Sequence, residues 1–139
     1  MNNLFIILAM VFCHIVDDYY LQSCLASMKQ KKWWQKNAPQ KLYKYDYIMA
    51  LVMHSMSWSF MIMLPIAISM SFNIPVTFLI VFICNAIIHG FVDNLKANKL
   101  KINLITDQSI HLSQIAITAI IFICLMWNER RLIWIKQFI

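Results

Sequence analysis

Three of the chain's aspartates stand four residues from a histidine: Asp18 from His14, Asp93 from His89 and Asp107 from His111. The chain holds only four histidines and six acidic residues among 139. A given histidine therefore meets an acid at one of its two i±4 positions with a probability of roughly 9%, and three of the four do so. On a helix this spacing puts both side chains on one face, one turn apart. It is how a helix offers two ligands to one metal ion, as in helices carrying H-E-x-x-H, and di-metal four-helix bundles use the related Glu-x-x-His spacing. The fourth histidine, His54, stands alone. Two other chemistries fit the same residues. A His–Asp pair can satisfy itself by hydrogen bonding, and a series of pairs can relay protons or ions.

The elements that must position these residues are membrane helices. The chain is 61% hydrophobic, contains a single glycine and is only 13% charged, against about 25% in ordinary soluble domains. A soluble fold of this size cannot hide so much apolar surface. Four apolar stretches, about 4–21, 47–70, 74–95 and 104–127, are each long enough to cross about 30 Å of hydrocarbon. None alternates as a barrel strand must. Pro75 opens the third stretch, where a missing N–H costs nothing, and Pro65 lies inside the second as a candidate kink. The N-terminus lacks a basic region and a small-residue cleavage site, so it reads as a helix rather than a signal peptide. The expected fold is all-α: a single domain over residues 1–139, built as an up-down-up-down integral membrane four-helix bundle.

Lysine placement sets the orientation. The connection 22–46 holds Lys29, Lys31, Lys32, Lys36, Lys41 and Lys44 with Trp33 and Trp34, and reads as a basic interfacial segment. Lys96, Lys99 and Lys101 cluster after the third stretch, on the same side, while the link at 71–73 is uncharged. The positive-inside rule then expects a multi-pass protein of the cell's inner (cytoplasmic) membrane, with lysine-rich loops in the cytoplasm and both termini outside. Arg130, Arg131 and Lys136 in the tail argue the other way, and that tail is expected along the opposite interface. The expected partners are the bilayer and its anionic headgroups, not nucleic acid. No oligomeric state follows.

Depth brings the polar residues together. His14 and Asp18 come late in the first stretch and His54 early in the second. His89 and Asp93 come late in the third, and Asp107 and His111 early in the fourth. In an up-down-up-down bundle all seven fall at one level. They are the expected metal ligands: His14, Asp18, His54, His89, Asp93, Asp107 and His111. Seven exceed the needs of one tetrahedral zinc and suit a two-metal site, and His/Asp ligation without thiolates is compatible with a divalent zinc, iron or manganese ion. Such a site lowers the pKa of a bound water to about 7 and polarises a phosphoryl or carbonyl oxygen.

Asn85, one turn before His89, Lys96 after Asp93, and Gln22, one turn after Asp18, are the candidate substrate-binding residues. Lys96 can instead snorkel to the interface. Asp17 points about 100° from Asp18, and it can cap, pair with a loop lysine or replace Asp18. Cys13, Cys24, Cys84 and Cys124 show no CxxC spacing and read as small hydrophobes. No Ser–His–Asp arrangement is persuasive, and one glycine excludes a Gly-rich phosphate loop.

The stretches "HIVDDYYLQSCLASMKQKK", "HGFVDNLKANK" and "DQSIHL", with His54 between them, resemble the small bacterial and phage membrane proteins of domain of unknown function family 3307. The resemblance covers nearly the whole chain through His111. It implies that Asp18 rather than Asp17 holds the motif's acidic position, although Tyr19 replaces a more common Phe. A looser likeness, by analogy alone, is to inner-membrane metal-dependent hydrolases. The expected function is a membrane-embedded, metal-dependent hydrolase of a phosphate-bearing lipid or lipid-linked substrate at the cytoplasmic leaflet. The alternative is a non-enzymatic membrane protein, either a proton or metal-ion conduit or a phage-type factor acting on a host membrane partner.

Overall fold

The computed structural model describes residues 2–137, and side chains only as far as Leu125. Six α-helices and no strand occur among the described residues: α1 (Asn3–Ile15), α2 (Leu25–Met28), α3 (Lys31–Asn37), α4 (Asp46–Ser69), α5 (Val76–Ala97) and α6 (Leu104–Gln137). Four helical segments are long and apolar enough to cross a membrane: Asn3–Leu21, Lys41–Ser69, Val76–Ala97 and Leu104–Leu125. The chain is a membrane-protein helical bundle, as its composition implies.

Local chemistry explains the boundaries. Asn2 caps α1 by accepting the Leu4 N–H at 3.0 Å. Asn103 caps α6 by accepting that of Thr106 at 2.9 Å. Pro75 sits immediately before α5, and α4 continues through Pro65 without a break. The uncharged link between α4 and α5 closes tightly: Ser71 and Phe72 take left-handed backbone, and the Phe72 N–H reaches the Ala67 carbonyl at 2.9 Å.

Helix continues beyond the fourth apolar stretch, since α6 runs on to Gln137. Arg130, Arg131 and Lys136 of the expected interfacial tail lie beyond the described side chains. One expectation changes: the first stretch is not one regular α-helix. After Ile15 it widens into a π-helical turn, Val16–Leu21, and Ser23 then takes left-handed backbone (φ 40°) to turn the chain into α2.

α4 is the hub, packed against α1 and α5, while α6 closes the bundle against α1 and α5. One half is an apolar core of Ile6 and Met10 from α1, Trp58, Ile62, Met63 and Ile66 from α4, and Ile115, Ala119 and Phe122 from α6. Leu4, Phe5, Leu8 and Phe12 project outward from α1, as lipid-facing residues should. In hydrocarbon there is no water to expel from between helices, so side-chain packing and buried polar contacts must hold them together. The other half, toward the lysine-rich connections, is where the polar contacts gather.

Candidate metal centre

All four histidines are buried, and so are Asp17, Asp93 and Asp107. Asp18 is nearly so, its side chain 8% exposed. The three i,i+4 pairs do not satisfy themselves. Their closest approaches are 3.9 Å (His14–Asp18), 3.8 Å (His89–Asp93) and 3.5 Å (Asp107–His111), too long for good hydrogen bonds. The contacts instead run between helices.

Two groups of donors converge: Asp18, His54 and His89, and His89, Asp93 and His111, each with its ligand atoms within 4.8 Å of one another. His54 Nε2 is the meeting point. It lies 3.1 Å from His89 Nε2, 3.3 Å from Asp18 Oδ1 and 3.4 Å from Asp93 Oδ2. Two ligands bonded to one ion at 2.0–2.2 Å lie about 3.0–3.5 Å apart, so these separations match the edges of one coordination sphere. Asp93 spans the cluster, with Oδ2 toward His54 and His89 and Oδ1 3.5 Å from His111 Nε2.

Hydrogen bonds define which nitrogens face inward. Gln114 Nε2 donates to the Asn85 carbonyl at 3.2 Å, so its Oε1, 3.3 Å from His111 Nδ1, is the acceptor of the Nδ1–H. The lone pair of neutral His111 then sits on Nε2, which is buried without a hydrogen-bond partner and faces Asp93 Oδ1 and Asp107 Oδ1, each at 3.5 Å. A lone pair between two carboxylates needs a cation, a metal ion or a proton. Charge agrees. With aspartates ionised and histidines neutral, Asp17, Asp18, Asp93 and Asp107 exceed Lys29 and Lys96 by two negative charges, an imbalance that a divalent ion offsets in a low-dielectric site. The residues fit such an ion.

His14 plays another part. The Trp58 indole can only donate, and it does so to His14 Nδ1 at 2.8 Å. Nε2 therefore carries the proton and donates to Gln108 Oε1 at 3.1 Å. Gln108 Nε2 in turn lies 3.1 Å from both Asp18 Oδ2 and Asp107 Oδ2. Both nitrogens of His14 are committed, and it orients the carboxylates through Gln108. Asp107 also stands outside the two donor groups, held at 2.6 Å by Lys96.

Asp17 and Asp18 both point inward, which the π-helical turn allows, since its wider i→i+5 closure reduces the angle between successive side chains. Asp17 is 1% exposed, accepts a hydrogen bond from Ser57 Oγ at 2.6 Å, and lies 3.7 Å from His54 Nδ1. Its Oδ2 faces the far side of the His54 ring without hydrogen-bonding to it.

A cavity of about 360 Å³ leads to the cluster from the lysine-rich end, with Asp18, Gln22, Lys29, Asp93, Lys96 and Gln108 in its wall. Gln22 bonds Asp18 Oδ1 at 3.0 Å and lies 3.2 Å from His54 Nε2. Of the three expected substrate-binding residues, Gln22 and Lys96 line this cavity. Asn85 does not. It is buried on the other side of the histidines, donating to Thr118 Oγ1 at 2.9 Å.

Sequence reasoning missed Trp58, Gln108, Gln114 and Lys29. Trp58 stands four residues after His54, and Gln114 three after His111, so the helical spacing that paired the histidines also reaches these two. Gln108 follows Asp107 directly. Nothing in the sequence joins Lys29 to Asp93, 64 residues away.

The fold and site define a class: a small helical-bundle membrane protein with a buried His/Asp cluster open to its lysine-rich end. Residues 5–137 match the model of a family described as protein of unknown function (DUF3307), and the chain belongs to that family. No curated protein and no solved structure matches the chain.

Proposed function

We propose that this protein binds a divalent metal ion (zinc, iron or manganese) among Asp18, His54, His89, Asp93 and His111, and hydrolyses a phosphate-bearing lipid or lipid-linked substrate. The observation that carries the proposal is the convergence of imidazole and carboxylate atoms at 3.1–3.5 Å on the wall of a cavity that opens toward lysine-rich segments. A divalent ion there supplies an activated water and polarises a phosphoryl oxygen. His14 orients the ligand residue Asp18 through Gln108. Lys96 and Gln22 meet the substrate's phosphate oxygens in the cavity, and the surrounding lysines concentrate anionic headgroups. By the positive-inside rule the cavity opens at the cytoplasmic leaflet of the inner membrane, with both termini outside.

The rival reading is non-enzymatic, a conduit or a binding factor. The unpartnered His111 nitrogen favours it in one respect, because a proton satisfies that atom as well as a metal does. Against a conduit stands the apolar cluster from Ile6 to Phe122, which fills the other half of the bundle among the described side chains.

Phosphate release from a panel of lipid phosphates, by protein supplied with each metal in turn, tests the proposal. We expect release that a chelator stops and that Asp93→Asn abolishes. Tight metal binding with no release from any lipid phosphate would refute the hydrolase and leave the non-enzymatic reading.

A further inference from the structure

Lys29 follows the short helix α2 in the basic connection, and its ammonium reaches Asp93 Oδ2 at 2.5 Å with its side chain only 12% exposed. That oxygen is the one that faces His54 Nε2 and His89 Nε2. The reach is built into the backbone. Asn98, just past α5, donates from Nδ2 to the Lys29 carbonyl at 3.0 Å and accepts the Lys31 N–H at 2.7 Å. Trp34 Nε1 donates to the Met28 carbonyl at 2.6 Å. The turn that carries Lys29 is thus pinned on both sides.

An ammonium and a divalent cation on the same carboxylate repel each other, and the cation takes up the negative charge that holds the ammonium, so binding the ion weakens the Lys29–Asp93 pair. Once a cation takes Asp93, the Lys29 ammonium loses its counter-charge inside a cavity at the membrane, where an unpaired charge is costly. Lys96 stands in the same cavity wall, as do the amides of Gln22, Gln30 and Gln108. An anion with several acceptor oxygens gives the freed Lys29 ammonium a new counter-charge in this cavity. We infer that Lys29 is a ligand-binding residue of this site: it holds Asp93 until a divalent cation arrives, then passes to the phosphate group of the ligand, so that cation and phosphate bind cooperatively. The inference rests on the metal-site proposal above and deepens it.

The magnitude follows from competition. If Lys29 holds Asp93 in about nine molecules of ten, it weakens apparent cation affinity about tenfold. Zinc titration of the full chain in neutral detergent should therefore show Lys29→Gln binding about tenfold more tightly than wild type, with Lys32→Gln unchanged. Inorganic phosphate should tighten zinc binding to wild type by about fivefold or more, and Lys29→Gln should lose that response. A response to phosphatidic acid in mixed micelles but not to inorganic phosphate identifies a lipid headgroup as the source, and a response to both shows that the phosphate group suffices.

Equal or weaker zinc binding by Lys29→Gln would overturn the exchange, and no phosphate response in either arm would overturn the transfer. The metal reading fails separately, if neither wild type nor Lys29→Gln binds zinc. Amine labelling needs no metal at all: Asp93→Asn should expose Lys29 to the reagent, and unchanged labelling would show that the Lys29–Asp93 pair does not form.

Discussion

The two halves of this bundle are built from the same helices and obey opposite rules. Toward one end, α1, α4 and α6 contribute Ile6, Met10, Ile62, Ile115 and Phe122, which need nothing but one another. One or two turns further on, the same helices contribute His14, His54, Asp107 and His111, buried just as deeply and dependent on partners from other helices. Trp58 stands at the boundary, part of the apolar core yet bonded to His14 and stacked on His89 with ring centroids 4.2 Å apart. Packing alone can stabilise the first half. The second half carries charge that membrane packing alone would reject, and under the metal-site proposal a bound cation offsets it.

Mutations should separate the halves by what each one loses. The largest effect is expected from His111→Ala, which removes a ligand: more than about 100-fold weaker metal binding, measured by metal titration. His14→Ala should be milder, about tenfold, because it only loosens the orientation of Asp18 and Asp107 through Gln108. An effect as large as that of His111→Ala would make His14 a ligand after all. Ile62→Ala should barely move metal affinity while costing about 2–5 kcal/mol of stability, read from thermal unfolding in detergent. A loss of metal affinity in that variant beyond its unfolded fraction would erase the distinction between the halves.

Much of this division was readable beforehand. The apolar stretches gave four membrane helices, and histidine–aspartate spacing combined with depth brought most of the cluster to one level. Spacing alone does not say which nitrogen of His14 is free. That depends on Trp58 donating from another helix, a contact between residues 44 apart. Nor does an ideal helical wheel foresee that Asp17 and Asp18 both turn inward, since the π-helical turn changes the angular step where they stand. Asn85 shares a face with His89, but one turn along the helix moves it away from the cavity and toward the core, next to Thr118. Lys29 was beyond reach because a loop lysine's destination is set by tertiary contacts such as those of Asn98.

The most direct measurement is the metal content of protein purified in mild detergent without chelator, with Asp93→Asn prepared alongside. The metal-centre account expects one or two zinc, iron or manganese ions per chain in wild type, and their loss in a variant that still folds. Wild type without metal even after add-back, or an Asp93→Asn variant that retains it, would contradict the metal centre and leave the His/Asp cluster as a proton-bearing network.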